Sequence, residues 1–117
     1  MKLAINYVEF GSKDIGASRA FFAKAFNWSF TDYGPAYAAF NEVGVDGGIA
    51  QAEGIPPPPL VILYADDLDA AEAAMLAAGG EIVVRQYDFP GGRRFHFREP
   101  GGNVLAVWSD PDRKSVV

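Results

Sequence analysis

The sequence predicts an α+β fold built from two tandem βαβββ modules in a single domain. Three observations support this prediction. The order strand, helix, three strands occurs twice, and a shift that places Val8 on Val61 also places Asp14 on Asp67. Four consecutive prolines at 56–59 separate the copies, and proline cannot donate to a β-ladder. The predicted boundaries are module 1 at about 3–53, a connector at 54–59, module 2 at about 60–109 and a frayed tail at 110–117.

The first module follows from hydrophobic periodicity and turn residues. Residues 3–10 alternate as a strand does, and Asp14 or Ser12 can cap a helix that continues to about residue 26. Turn residues such as Gly34 and Gly44 then separate three short segments. These segments are the predicted strands 28–33, 37–42 and 47–53.

The second module repeats this order after the proline connector. Asp66 and Asp67 can cap a helix that ends near Gly79. The predicted strands are 60–65, 81–87, 93–98 and 103–108. Pro90-Gly91 and Pro100-Gly101 suit the centre of type II turns between the last three strands.

Composition limits the classes of function. Of the 117 residues 50% are hydrophobic and 14% aromatic, which is typical of a globular domain. The net charge of −5 argues against nucleic acid as a partner. The chain has no cysteine, and His96 is its one histidine, so a thiolate or imidazole metal site is not expected. No signal peptide or stretch long enough to cross a membrane is evident, and we expect a cytoplasmic protein without membrane partners.

Several motifs together are similar to a known family. They are residues 5–10 (Ile-Asn-Tyr-Val-Glu-Phe) with Asp14, the helix end Phe26-Asn27-Trp28, residues 90–97 (Pro-Gly-Gly-Arg-Arg-Phe-His-Phe) and residues 99–108 (Glu-Pro-Gly-Gly-Asn-Val-Leu-Ala-Val-Trp). In order and spacing they resemble the vicinal oxygen chelate superfamily, which includes glyoxalase I, extradiol dioxygenases and bleomycin-resistance proteins. The resemblance covers about residues 3–109 and points to the poorly characterised glyoxalase-like branch.

The resemblance implies the glyoxalase/bleomycin resistance/dihydroxybiphenyl dioxygenase fold, in which βαβββ modules form cupped mixed sheets. The helices cover the convex side, the cup holds the site, and the protein is expected to be a homodimer. The metal positions of the family's enzymes fall on Tyr7, Leu60 and Ala106, and a fourth lies near 48–51 in a register that the pattern leaves open. Since leucine and alanine carry no donor atom, the prediction is a chain without a metal or other cofactor.

Two residues are candidates for acid–base chemistry. Glu9 shares a strand face with Tyr7 and is a candidate general base; the alternative is a hydrogen-bonded side chain or one at a dimer seam. Alternation places Arg94 and His96 on the face opposite Phe95. There His96 could move protons and Arg94 could hold a carboxylate or phosphate, unless the strand is simply half-solvated.

Amphipathic aromatic residues are candidates for ligand contact. Trp108 is the preferred pocket wall, because it shares a face with Ala106. The candidate ligand-binding set is Tyr7, Trp28, Tyr37, Leu60, Tyr64, Arg94, Ala106 and Trp108. Ordinary sheet packing is the alternative for most of the aromatic members.

These observations favour a protein that binds a small organic molecule in a metal-free cup. A sequestering role like that of bleomycin-resistance proteins would suit an acidic protein and a cationic aromatic ligand. The alternative is a glyoxalase-type lyase, an isomerase or a dioxygenase-type enzyme, with Glu9 or His96 as base or with an unrecognised metal site. A third possibility is a domain that serves only as an interaction partner.

Overall fold

The computed structural model describes residues 1–110 and contains eight strands and two helices in the predicted order. The elements are β1 (Ala4–Ser12), α1 (Ile15–Phe26), β2 (Phe30–Asp32), β3 (Tyr37–Phe40), β4 (Asp46–Gln51), β5 (Leu60–Tyr64), α2 (Leu68–Ala77), β6 (Glu81–Phe89), β7 (Gly92–Arg98) and β8 (Val104–Ser109). The prediction of an α+β fold with two βαβββ repeats is therefore confirmed. Within residues 1–110, neither helix has the length and apolar character needed to cross a membrane.

The chain forms two compact units. We call Tyr7–Leu60 the first unit, and Met1–Asn6 together with the described residues from Val61 onward the second unit. Each unit contains one helix and mixes parallel with antiparallel strand pairs. The predicted frayed tail falls almost entirely on residues 111–117, which lie outside the described residues.

In the first unit the strand order is β2-β3-β4-β1. β1 and β4 run parallel with Glu9 opposite Gly48, whereas β3 is antiparallel to both of its neighbours. The buried core consists of Ile15, Ala38, Phe40 and Ile49, and it lies on the side of the sheet that α1 covers. Side chains at alternate positions of β1, β3 and β4 therefore point to the opposite, open face.

Local signals define both ends of α1. The Asp14 carboxylate accepts a hydrogen bond from the Ala17 N–H at 3.0 Å, as an N-cap does. Asn27 adopts a left-handed conformation at φ 64° and its N–H bonds back to the helix. This C-terminal turn directs Trp28 onto Phe22, with ring centroids 4.8 Å apart. The strand predicted at 28–33 is consequently shortened to β2.

In the second unit the order is β5-β8-β7-β6, with β5 and β8 parallel and the other pairs antiparallel. Asp67 caps α2 by accepting from the Ala70 N–H. Phe95 and Val107 are buried beneath α2 with Leu68. The predicted alternation is thus confirmed, because the phenylalanine meets the helix and its neighbours on β7 point to the open face.

The turn between β7 and β8 differs from the prediction. The Gly102 N–H bonds to the Glu99 carbonyl at 2.9 Å, which makes Pro100 and Gly101 the central residues of the turn. A type II turn requires a positive φ at Gly101, but the positive φ of 100° falls on Gly102. The type II prediction was therefore wrong, because the left-handed glycine comes one position later.

Candidate functional site

Three polar side chains meet on the open face of the first unit. The hydroxyls of Tyr7 and Tyr37 lie 2.6 Å apart, and the Tyr37 hydroxyl donates to Glu9 Oε2 at 3.2 Å. We call Tyr7, Glu9 and Tyr37 the tyrosine–glutamate cluster. All three side chains are half-buried. The carboxylate of Glu9 therefore accepts a hydrogen bond from a side chain of β3.

The backbone of β4 makes room for this cluster. A Cβ atom added at Gly48 would lie 2.1 Å from the Tyr37 hydroxyl oxygen and 2.4 Å from its Cζ. The Tyr37 ring thus occupies the space that any side chain at position 48 would need. Because Gly48 is paired with Glu9 across the parallel β1–β4 ladder, the ring is directed toward Glu9.

The environment of Tyr37 keeps its phenol protonated. Burial raises the pKa of Tyr37 far above its ordinary value of 10.0, and the hydrogen bond with Tyr7 and the negative charge of Glu9 raise it further. Tyr37 is therefore a neutral hydrogen-bond donor throughout the physiological pH range. It is not suited to act as a phenolate nucleophile or base.

A second group of side chains lies on the open face of the second unit. Tyr87 faces Arg94 across the β6–β7 ladder, and its hydroxyl accepts a hydrogen bond from Arg94 Nε. The same hydroxyl lies 2.8 Å from His96 Nε2. The Arg94 guanidinium carbon is 5.4 Å from the ring centroids of both Tyr87 and Phe89, a cation–π arrangement with two rings.

Trp108 continues this group along β8. Its ring centroid lies 4.9 Å from Tyr64 and 6.1 Å from Phe89, both in edge-to-face geometry. Its indole N–H donates to Asn6 Oδ1 at 3.0 Å, which fixes the orientation of the ring. We call Tyr64, Tyr87, Phe89, Arg94, His96 and Trp108 the arginine–aromatic cluster. All six side chains are half-buried.

The structure thus brings most of the sequence-predicted residues into one of two groups. Leu60 and Ala106 belong to neither group, and Trp28 also lies outside both. Its ring packs on Phe22 and Phe40 in the core of the first unit, with a centroid 4.9 Å from that of Phe40. Tyr37 points to the opposite face of β3, since it is three residues from Phe40. The prediction that Trp28 contacts a ligand is therefore corrected, and the packing alternative replaces it.

Sequence reasoning missed Phe89 as a site residue and gave Gly48 no role. A signal for Phe89 was present, since the turn at Pro90–Gly92 implies a hairpin, and alternation along its first strand places Phe89 on the same face as Tyr87. No comparable signal marked Gly48, because its role depends on a ring that arrives from β3.

The residues at the family's metal positions do not fit a metal ion. Leu60 and Ala106 offer only carbon atoms, and the Tyr7 hydroxyl is already bonded to Tyr37. On β4, the ring of Tyr37 fills the space above Gly48. Among the described residues, no group of three or more histidine, cysteine, aspartate or glutamate side chains could hold a metal.

Two cavities lie apart from the polar groups of both clusters. One, of about 290 Å³, lies beside Leu68 at the start of α2 and reaches the arginine–aromatic cluster only through Phe89. The other, of about 280 Å³, lies in the first unit between Phe22 of α1 and the prolines 57 and 59 of the connector. Since neither contains the hydrogen-bonded groups of the clusters, the open faces remain the candidate sites.

The chain is similar to curated proteins, but it matches only part of their length. The chain is 28% identical over 133 residues to the anthracycline biosynthesis protein DnrV of Streptomyces peucetius. This alignment covers 95% of this chain and 47% of that protein. The chain therefore spans about half the length of the curated relatives it matches.

Solved structures agree on the fold. The Mn(II)-bound glyoxalase of Novosphingobium aromaticivorans is 28% identical with a TM-score of 0.67, over 91% of this chain and 38% of that one. Methylmalonyl-CoA epimerase of Mycobacterium tuberculosis has a TM-score of 0.76 at 10% identity, and the match covers 97% of this chain and 91% of that one. At this low identity the likeness shows only that the two chains share a fold.

The sequence also matches a family model across almost its whole length. The model describes the Glyoxalase/Bleomycin resistance protein/Dioxygenase superfamily, and the match covers residues 4–107. This span includes both βαβββ repeats apart from the last two residues of β8, and every member of the two clusters except Trp108. The chain therefore belongs to the Glyoxalase/Bleomycin resistance protein/Dioxygenase superfamily.

Proposed function

We propose that this glyoxalase-like protein binds a small, flat organic molecule on the arginine–aromatic cluster, without the metal that the family's enzymes use. The observation that carries the proposal is the edge-to-face contact of Trp108 with both Tyr64 and Phe89, beside the Arg94 guanidinium in cation–π contact with two rings. Half-buried rings in this arrangement offer apolar area, and the neighbouring guanidinium and imidazole groups supply polarity.

Preorganisation supports binding at this cluster. The Trp108 indole N–H is held by Asn6, and Arg94 Nε is held by the Tyr87 hydroxyl. A ligand would therefore meet side chains that are already oriented, which lowers the entropy cost of association. Leu60 and Ala106 support the same interpretation. They stand at positions where the family's enzymes have metal ligands, but their side chains carry no atom that could coordinate a metal ion.

The relatives suggest a ligand class. DnrV is named for anthracycline biosynthesis, and anthracyclines contain a planar ring system that suits stacking on aromatic side chains. Because this chain covers 47% of that protein, a role in the chemistry of such compounds is itself a proposal. Sequestration of the ligand by a cytoplasmic homodimer belongs to the same proposal, and the absence of cysteine is compatible with a reducing compartment.

Isothermal titration calorimetry with an anthracycline, in the presence and absence of EDTA, tests the proposal. We expect binding that EDTA leaves unchanged and that Trp108→Leu weakens about tenfold, the equivalent of about 1.4 kcal/mol. Tyr33→Leu is the matched control, because Tyr33 is an aromatic residue that is 65% exposed and belongs to neither cluster.

Elemental analysis of the same samples completes the experiment. Loss of binding in EDTA together with about one tightly held metal per chain would contradict the metal-free proposal. Equal binding by wild type and Trp108→Leu would remove the arginine–aromatic cluster from it. Chemical conversion of the ligand during the titration, followed by NMR, would instead support the isomerase or lyase alternative.

A further inference from the structure

The carboxamide of Asn6 is held beside the ring of Trp108 in one orientation. The indole nitrogen of Trp108 lies 3.0 Å from Asn6 Oδ1. Because an indole N–H can only donate a hydrogen bond, the amide atom that faces it must be the oxygen. The nitrogen of the same planar group, Nδ2, is therefore turned away from the indole nitrogen, together with its two hydrogens.

Asn6 lies on the open face of the second unit. Leu3, just before β1, packs against the core of this unit beneath α2. Asn6 comes three residues later, so alternation directs its side chain to the opposite face, where Trp108 also lies. The residue is half-buried, so its amide is partly shielded from water but remains within reach of a ligand.

The two amide hydrogens of Asn6 are not used inside the protein. Within residues 1–110, the one hydrogen bond of this side chain is the bond that Oδ1 accepts from Trp108. A ligand that covers the amide displaces the water around Nδ2, and a donor left without a partner then costs free energy. A flat ligand with an acceptor oxygen avoids this cost, whereas a purely apolar ligand does not.

Tyr64 also contacts Trp108 and carries a polar group, but its hydroxyl is less selective. A hydroxyl can donate or accept, and it rotates to suit its partner. The NH₂ group of Asn6 can only donate, and the bond from Trp108 fixes its direction. A preference for acceptor oxygen at this place is therefore a property of Asn6.

We propose that the arginine–aromatic cluster selects planar aromatic carbonyl compounds, such as aromatic ketones, quinones or lactones, and that Asn6 donates a hydrogen bond to the carbonyl oxygen. A carbonyl oxygen suits this donor because it only accepts and its lone pairs lie near the plane of the molecule. The inference rests on the proposed function, since it specifies the ligand class of the same cluster. Asn6 is thus a specificity-determining residue, and Trp108 both offers ring surface and orients it.

Titration calorimetry with 1-indanone and 3-methylindole tests the ligand class. Both compounds have two flat fused rings and the same number of non-hydrogen atoms. The methyl group of 3-methylindole takes the place of the carbonyl oxygen of 1-indanone, and its ring nitrogen is a donor. We expect wild-type protein to bind 1-indanone at least about fivefold more tightly, as one additional hydrogen bond allows.

Variants locate the donor. Asn6→Asp keeps an oxygen for the Trp108 N–H but removes both N–H donors, and it should reduce the preference for 1-indanone to less than about twofold. Asn41→Asp makes the same change at an exposed residue outside both clusters and should keep the preference. The comparison of the two compounds on wild-type protein does not depend on whether Asn6→Asp folds.

Equal binding of the two compounds to wild type, or a preference that survives in folded Asn6→Asp, would overturn the assignment of Asn6. If Trp108→Leu still weakens the binding of both compounds in that case, the proposed function stands and only the ligand class fails. Absence of binding by both compounds would contradict the proposed function as well.

Discussion

Tyr37 is the residue whose chemistry the fold changes most. Its hydroxyl is bonded to two neighbours, and its ring occupies the space above Gly48. Burial and the charge of Glu9 hold the proton on this phenol in the folded state. In the unfolded chain the same hydroxyl would titrate near its ordinary pKa of 10.0.

The raised pKa of Tyr37 predicts a loss of stability at alkaline pH. Above about pH 10 the unfolded state releases this proton while the folded state keeps it, so the free energy of unfolding falls as pH rises. At pH 8 we expect Tyr37→Phe to be less stable than wild type by about 1–3 kcal/mol, because half-buried Tyr7 and Glu9 lose a partner. Urea denaturation at pH 8 and pH 11 should show this difference shrinking at the higher pH.

Tyr33→Phe is the control for this experiment, because Tyr33 is 65% exposed. Its stability should follow that of the wild type within about 0.5 kcal/mol at both pH values. A difference between wild type and Tyr37→Phe that stays constant from pH 8 to pH 11 would contradict the linkage.

At the scale of secondary structure elements, the important contact is between β3 and β4. The glycine at position 48 allows an aromatic side chain of β3 to cross the neighbouring strand. We expect Gly48→Ala to cost about 1–3 kcal/mol, because the new methyl group would overlap the Tyr37 ring. The measurement is the free energy of unfolding of the single variants and of the double variant with Tyr37→Ala.

The double variant identifies the cause. If the ring of Tyr37 is the obstacle, Gly48→Ala should cost less in the Tyr37→Ala background than in the wild type. Gly16→Ala on α1 is the control, because its added Cβ would meet only Asp14 Oδ1, at 3.4 Å. This substitution should stabilise the helix by up to about 1 kcal/mol. Additive costs for the two substitutions would exclude a steric conflict between positions 37 and 48.

At the scale of the whole molecule, the proposed homodimer is the property to measure. Phe21 and Phe26 of α1 are 59% and 60% exposed and contact each other, and such patches are typical of association surfaces. We expect sedimentation equilibrium to give twice the chain mass of 12.6 kDa. The melting temperature should rise with protein concentration, because association stabilises the folded state.

A single-chain mass and a constant melting temperature across about a hundredfold range of concentration would contradict the dimer. That result would remove the homodimer from the proposed function but would leave the ligand site on the arginine–aromatic cluster in place, since this cluster consists of residues of one unit.

The sequence by itself determined the element order, two N-cap candidates for each helix and the alternation along β7. These features depend on local periodicity and on hydrogen bonds between residues a few positions apart, which a single sequence records directly. The motif order was also sufficient to predict the family. The sequence also showed that two of the family's metal positions, at Leu60 and Ala106, carry no donor atom.

Only the tertiary structure decided which side chains meet. It joined Tyr7 and Glu9 to Tyr37, placed Arg94 in cation–π contact with two rings, and packed Trp28 against the core. Strand alternation specifies the face of each residue but not its neighbour on the next strand, because that neighbour depends on pairing register between distant segments. The ring of Tyr37 reaches Glu9 only where the intervening position has no side chain, and that coincidence exists only in three dimensions.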